Sequence, residues 1–399
     1  MEKVRPISSA KQKREDMKGT PDYLLIGIII GIVAFGVVMV YSASFNYCTN
    51  EGWAPTKLAF KQLILGAAGI GIMIFVGLKF DYHIFVRRNI IKFLYGGSII
   101  FAASVRVFGL ELNGAKRWIQ IGPIQIQPSE FVKVTVILML ASYIMRNRNN
   151  IHQWRVVVKG WLIALVPAGV VAVIGSNLSS GLVILGIGAV MMFSCSGQLK
   201  VYLCAAIIGV VGVVGVIHLA HITPKGEDPN IPIVDKVLSG YRLDRIRVWE
   251  DPWIDPSDNG YQPIQSLLAV GSGGLFGVGL GSGVQKLGFV PEPYNDIIFA
   301  IICEELGLVG ALTLMFVYMC LLLRGMRIAL KARDYSGTLI AIGVSSMIGI
   351  QALINVAVNT NTLPTTGMQL PLISYGGTAL VVLLGTLGLL INVSRNMEG

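Results

Sequence analysis

Between Leu24 and Ser42 the chain carries no charged side chain, and apolar runs of this kind recur along nearly its whole length. About 20 such residues in a row make a helix long enough to cross a hydrocarbon core about 30 Å thick. Apolar residues fill 54% of the 399 positions and charged residues 14%, whereas a soluble domain usually carries about a quarter charged residues. The runs are also too long for the core of a soluble helical protein. The pattern predicts an all-α polytopic membrane protein with about ten transmembrane helices. Its spans are expected near 24–42, 60–78, 90–109, 129–146, 158–176, 179–196, 200–220, 305–325, 338–358 and 374–394.

Charge then orients the spans. Lys3, Arg5, Lys11, Lys13, Arg14 and Lys18 precede the first; Lys79, Arg87 and Arg88 follow the second. Arg146, Arg148, Arg155 and Lys159 follow the fourth, Arg324, Arg327, Lys331 and Arg333 the eighth, and Arg395 the tenth. Short basic connections of this kind stay in the cytoplasm, which places both termini there. The formal charge of +10 is therefore a topology signal and does not point to nucleic acid. The expected order is a cytoplasmic tail over 1–22, seven helices over 23–220 and a large extracytoplasmic loop over 221–295. Helices eight to ten then occupy 296–394, and a short cytoplasmic tail covers 395–399. The first apolar run is longer than a signal-peptide core and lacks a small-residue cleavage site, so it reads as a retained span. Five cysteines without a CxxC pair argue against a disulfide framework or a metal site.

This topology gathers the polar motifs near the outer leaflet. The third span is followed by NGAKRWIQIGPIQIQPSE, in which Lys116 and Arg117 stand outside, against the usual bias, beside Trp118. The two cations fit an anionic partner or lipid headgroups; the tryptophan alone is ordinary for a membrane interface. Glu130 and Lys133 lie three apart on one helical face, just after Ser129. An ionisable residue inside a span costs about 2.5–3.5 kcal/mol on insertion scales. The pair is either a self-neutralising contact between helices or the polar wall of an outward-facing cavity. The long loop runs from YRLDRIRVWEDPW to GYQPIQSLLAVGSGGLFGVGLGSGVQKLGFVPEPYND. Its glycines are no nucleotide fingerprint, since no GK[ST] ends them and no strand precedes them. They permit tight turns at membrane depth, where irregular backbone must be buried in protein or line a cavity.

Lys286, Glu292 and Asp296 follow those glycines. Asp296 opens an apolar segment, where it can cap a helix or serve as a reactive carboxylate. Glu304 and Glu305 lie deeper, and one of them is expected to meet a cation. Gln351, Asn355 and Asn359, at four-residue spacing, read as a stripe that glues helices. The uncharged TNTLPTTGMQLPLISYGGT reads as a shaped, partly buried re-entrant loop. No internal repeat is visible, which weakens a transporter reading. A single outward-facing cavity accounts for the whole set.

The motifs GAKRW, QPSEFVK, RIRVWEDP from Arg245, GYQPIQS with GSGGLFGVGLG, QK with PEPYNDIIFAIICEELG, and PTTGMQLPLISYGGT resemble one family. It is the SEDS family (shape, elongation, division and sporulation) of FtsW, RodA and SpoVE type, and the resemblance covers about residues 20–395. PEPYND and CEELG look closer to division or sporulation members than to elongation members. The resemblance implies a ten-span peptidoglycan glycosyltransferase of the bacterial cytoplasmic membrane. It implies lipid II, an undecaprenyl-pyrophosphate-linked disaccharide peptide, as substrate and a class B penicillin-binding transpeptidase as partner. Asp296 matches the family's essential loop aspartate, Trp118 the tryptophan of the first large outer loop, and Glu130 with Lys133 the polar pair. Residues expected to bind substrate are Lys116, Arg117, Trp118, Ser129, Glu130, Lys133, Arg245, Gln265, Lys286, Glu292 and Ser374. Two departures stand out. Tyr294 and Asn295 occupy the place of a frequent His-Thr pair, and SNLSSG puts Asn177 where many members carry an acid.

Such a transfer joins a sugar hydroxyl to an anomeric carbon through an oxocarbenium-like state. A carboxylate that accepts the hydroxyl proton is worth about 10²–10⁴-fold, and this role falls to Asp296. Cations must meet the charge on the departing pyrophosphate; Lys116, Arg117, Lys133, Arg245 and Lys286 are the candidates. A divalent cation, Mg2+ or Mn2+, could share that task, although the sequence shows no dedicated ligand cluster, and no ATP or organic cofactor is called for. Two other classes stay open. A lipid flippase would need alternating access and polar groups at the midplane, and a non-catalytic scaffold would only recruit the transpeptidase.

Overall fold

The computed structural model describes residues 19–112, 115–122, 124–197 and 240–397, with Tyr202, Ile207 and Gly215 as isolated positions. The expected span 200–220, those three positions apart, and the first part of the large loop, 221–239, lie outside the described residues. The helices in chain order are α1 (Tyr23–Asn50), α2 (Lys57–Lys79), α3 (Arg88–Phe108), α4 (Pro128–Arg146), α5 (Trp154–Gly169) and α6 (Leu178–Ser196). They continue with α7 (Gly240–Glu250), α8 (Tyr261–Ser272), α9 (Ile298–Lys331), α10 (Tyr335–Asn359) and α11 (Thr378–Ser394). Among the described residues eight helices are long and apolar enough to cross a membrane, namely α1 to α4, α5 together with the π-helical turn Val170–Ile174 that continues it, α6, α9 and α10. α11 is a shorter apolar helix of 17 residues. The chain is a polytopic, mainly helical membrane protein.

Side chains at the helix starts satisfy backbone N–H groups that have no partner within the helix. Asp22 accepts from the Leu25 N–H at 3.0 Å, Asn177 from Ser180 at 3.0 Å and Asp334 from Gly337 at 3.0 Å. Close packing follows from small residues. α2 and α11 run against each other where Gly69 faces Leu384, Gly77 faces Ile391 and Gly388 meets the backbone of Met73. Between helices in lipid, contact of this kind replaces the hydrophobic drive that water would supply.

Two features depart from a plain helical bundle. The outer loop after α3 folds into a small antiparallel sheet of β1 (Gly109–Leu112), β2 (Ala115–Ile121) and β3 (Ile124–Ile126). Register pairs Leu110 with Trp118, Glu111 with Lys116 and Ile119 with Ile126, with a bulge between Leu110 and Glu111. Alternation in GLEL and AKRWIQI carries this signal, but each run is short enough to read as loop.

The second departure is in α9, which begins at Ile298 rather than near 305 and is broken at Gly307 (φ 66°, ψ −169°). The break frees backbone groups at membrane depth, and the glycine-rich segment takes them up. Val278 and Gly279 donate to the Glu304 and Glu305 carbonyls at 3.0 Å each, while Leu308 and Val309 donate to Gly274 and Leu275 at 2.9 and 3.1 Å. Approach is so close that a Cβ on Gly307 would lie 2.3 Å from the Gly277 nitrogen. Irregular backbone is thus buried in protein, as it must be in lipid.

At the end of the bundle away from α9's first turn, His83 lies between Asp81 (2.6 Å) and Asp334 (3.5 Å). The hydrogen bond to Asp334, and after it that to Asp81, hold the His83 pKa above its ordinary 6.5 in spite of burial. Burial acts to raise Asp334, but hydrogen bonds from His83, Ser336, Tyr82 and the Gly337 N–H outweigh it and hold the carboxyl well below the usual range. The clasp joins the α2–α3 turn to the α9–α10 turn.

Two outcomes are expected. Gly307→Ala lowers the unfolding temperature of the detergent-solubilised protein, by about 2 kcal/mol or more in stability from the strained φ and the clash. Gly27→Ala, whose Cβ meets nothing within 4 Å, does not. Separately, the His83 contribution is complete below its unfolded pKa of about 6.5 and is lost as pH rises through the elevated folded value. Unfolding temperature should therefore fall as pH climbs above about 6.5, and His83→Gln should flatten that slope. An unchanged slope in the variant assigns the effect elsewhere.

Candidate functional site

The uncharged segment 360–377 is held from every side. Asn355 donates to the Met368 carbonyl at 2.6 Å, Gln62 of α2 to the Ser374 carbonyl at 3.2 Å, and Ser179 of α6 to the Thr366 carbonyl at 2.5 Å. Tyr318 of α9 donates to the Pro371 carbonyl. From α7, Trp249 donates to the Asn361 carbonyl at 3.0 Å and Arg245 to that of Thr365 at 2.8 Å. A re-entrant loop needs such partners, because each unsatisfied backbone group in a dry interior is costly.

Asp296 is set by the same stripe of amides. Its backbone carbonyl accepts from Asn355 at 2.8 Å and from Asn359 at 3.0 Å. Asn359 also accepts from the Ala300 N–H at 3.3 Å, and its carbonyl takes the Ser266 hydroxyl of α8 at 2.9 Å. The amides thus fix the backbone at the mouth of α9, so the Asp296 carboxyl is not spent on holding it. Asp296 as a residue is half-buried. Dense surroundings push its pKa up, as does the nearby Glu292; its own N–H, Arg245 and the Gln262 amide pull the other way, and the net direction is upward.

Arg117 faces the same carboxylate. A Cβ placed on Gly367 would be 3.5 Å from Arg117 Nη1 and 3.7 Å from Asp296 Oδ2, so both groups approach one point above a residue that has no side chain. Gly367 is left-handed (φ 65°), a conformation glycine adopts without strain. Arg117 Nε donates to the Ser176 carbonyl at 3.0 Å. Arg117 also shares a small cavity with Ser129 and Asn177, and the buried Ser129 hydroxyl has no hydrogen-bond partner among the described residues. Asp296, Arg117 and Arg245 therefore converge, with Glu292 and Ser129 beside them.

Other expected residues are placed differently. Glu130 and Lys133 form an ion pair of 2.7 Å, with Lys133 1% exposed. Lys286 is bound to Glu305 at 2.5 Å and to the Ser42 hydroxyl of α1 at 2.8 Å, so its ammonium completes the network around the broken helix. Glu305 is fully buried and also accepts from Ser42 at 2.7 Å and from the Gly281 N–H at 3.1 Å. It is the deep acid that meets a cation. Ser374 closes its own turn, accepting from the Leu370 N–H at 2.8 Å. Trp118 is half-buried on β2 across from Leu110. Gln265 is half-buried on α8, and Gln262, one turn earlier, is the glutamine that reaches the Asp296 carboxyl. Lys116 lines a separate cavity with Arg106. The three-residue spacing in QPIQ marks two glutamines on one helical face; only packing distinguishes them.

The two departures from the family pattern are both occupied by structural contacts. Tyr294 packs against Tyr47 and Tyr375 at ring distances of 5.2 and 5.8 Å, and Asn295 bridges Glu292 and Gln369 at 3.1 Å each. Asn177 caps α6, a task that an amide or a carboxylate performs about equally well. Among the described residues no group of three or more His, Cys, Asp or Glu gathers as a metal site.

Residues 22–399 match the sequence profile of the FtsW, RodA and SpoVE family, described as "Cell cycle protein". The chain belongs to this family. It is 36% identical over 382 residues to stage V sporulation protein E of Bacillus subtilis, covering 95% of this chain and 98% of that one. It is also 36% identical over 376 residues to the probable peptidoglycan glycosyltransferase FtsW of the same organism, covering 94% and 90%. Among solved structures it is similar to a chain from a peptidoglycan synthase complex that coordinates polymerization and crosslinking (27% identity, TM-score 0.72, 94% and 98% covered). A second is the rod shape determining protein RodA of Thermus thermophilus (26% identity, TM-score 0.63, 95% and 98% covered).

If Lys286 serves the network rather than a ligand, Lys286→Met leaves Glu305 buried without its cation. The expected loss is about 3–5 kcal/mol, read as aggregation or a large drop in unfolding temperature. Adding Glu305→Gln, which keeps an acceptor for Ser42 and Gly281, should recover most of it.

Proposed function

We propose that this chain is a peptidoglycan glycosyltransferase that polymerises lipid II at the outer face of the cytoplasmic membrane, with Asp296 as general base. The observation that carries the reading is the convergence of one carboxylate of raised pKa with Arg117 and Arg245 at the mouth of α9. The acceptor sugar's hydroxyl oxygen attacks the anomeric carbon of the donor. The bond from that carbon to the lipid diphosphate breaks, and the hydroxyl proton passes to Asp296. Arg117 and Arg245 stand where charge grows on the departing diphosphate, and fixed cations in a poorly hydrated site stabilise it more than water does. The upward shift of Asp296 brings its affinity for a proton closer to working pH, where a base is most effective.

A divalent cation would rest on Asp296 and Glu292 together with the donor's own phosphate oxygens, the sparse protein ligation usual for Mg2+, and would supply further charge neutralisation. The polyprenyl tail remains in the bilayer against the exposed apolar faces of the helices. The basic connections support a cytoplasmic location for both termini. A class B penicillin-binding transpeptidase is the expected partner, in keeping with the similarity to a chain of a complex that joins polymerization to crosslinking.

The test is turnover by the purified protein, reconstituted with lipid II. Asp296→Asn is expected to insert and fold normally yet form no glycan. Arg245→Gln, by removing a charge that lowers the Asp296 pKa, should slow the reaction and move the acid limb of its pH profile upward. Normal polymerisation by Asp296→Asn rejects the assignment, and lipid movement across vesicles without polymer favours a flippase.

A further inference from the structure

Adjacent residues of a strand point to opposite faces, so Arg117 and Lys116 serve different spaces. Arg117 turns toward Asp296. Lys116 turns into an open cavity of about 340 Å³ lined by Arg106, Glu111, Ile174 and Ser176. Neither Arg106 nor Lys116 has a hydrogen-bond or ion-pair partner among the described residues. Glu111 is the register partner of Lys116 across the β1–β2 pair, yet the two do not form an ion pair. Two cations and one carboxylate leave the cavity with a surplus positive charge and unused donors.

The helix ends that supply part of this cavity's wall are apolar and exposed. Val107 and Phe108, next in sequence to Arg106, are 74% and 71% exposed, and Val173, next to Ile174, is 70% exposed. All three belong to the ends of helices that cross the membrane, at the same end of the bundle as Asp296. A soluble anion would match the cations and leave these exposed apolar helix ends unused. An amphiphile with an anionic head and hydrocarbon tail matches both.

We infer that the Arg106–Lys116 cavity binds the phosphate or diphosphate headgroup of a membrane lipid, at a site separate from the Asp296 cleft. Arg106 and Lys116 donate to the phosphate oxygens, Glu111 restrains affinity by like-charge repulsion, and Val107, Phe108 and Val173 meet the first part of the tail. The inference does not rest on the catalytic reading, because it concerns binding and not turnover. Ser176 links the two spaces, since it lines this cavity and its carbonyl accepts from Arg117.

The experiment is native mass spectrometry of the purified full-length protein, titrated in separate arms with phosphatidylglycerol and with a polyprenyl diphosphate. Each is compared among the unaltered chain, Arg106→Gln with Lys116→Gln, and Glu111→Gln. Removing the cations should weaken binding about fivefold per charge, and Glu111→Gln should tighten it by a similar factor. Weakening of the phosphatidylglycerol arm identifies bulk phospholipid as the source; weakening of the diphosphate arm identifies the polyprenyl carrier. Wild-type affinity for both lipids in the double variant overturns the site. Should that variant fail to fold, Glu111→Gln decides alone, and unchanged affinity there overturns it.

Discussion

A backbone segment that is neither helix nor strand, set inside a membrane protein, has to find its hydrogen bonds in short turns of its own or in its surroundings. Segment 360–377 draws on α1's neighbour α2 and on α6, α7, α9 and α10, and much else in the structure is positioned by these bonds. Arg245 is aimed by its bond to the Thr365 carbonyl, Ser179 by its bond to Thr366, and Asn355 grips Met368 and Asp296 at once. Without charge of its own, the loop can pass close to charged groups without competing for them. Gly367 then leaves open the space where Arg117 and Asp296 come near each other.

Polar groups in this protein divide by what they are bonded to. Lys133 and Lys286 are buried and paired at 2.7 and 2.5 Å with Glu130 and Glu305. Removing one partner of such a pair is strongly destabilising, since it leaves an uncompensated buried charge. Asp296 is the contrast: its backbone is anchored by amides while its carboxyl keeps company with two guanidinium groups and a carboxylate. Holding the main chain rather than the side chain lets a residue be fixed in place and still exchange a proton.

Helix lengths made the architecture legible, because hydrocarbon thickness acts on composition alone. The described spans fall within several residues of the apolar runs. What composition could not convey was the three-stranded sheet, whose runs are as short as Ile124–Ile126, and the early start of α9, where polar Glu304 and Glu305 interrupt the apolar count although the helix continues through them. The site was legible in part. Asp296, Arg117 and Arg245 were marked by residue type and by the outer position expected of their loops. Lys286 and Ser374 carried the same marks, and only tertiary partners show that one serves Glu305 and the other its own turn. Gln262 was hidden because its role depends on which face of α8 meets α9.

The exchange of hydrogen bonds between the glycine-rich segment and the break in α9 makes the two stretches interdependent. Neither stretch can sit in lipid by itself, since each leaves donors or acceptors bare until the other arrives. The two stretches therefore complete each other only when both are in place, and the Lys286–Glu305 pair closes in the same assembly. Loss of either stretch would strip backbone partners from the other, so this part of the protein stands or falls as one unit.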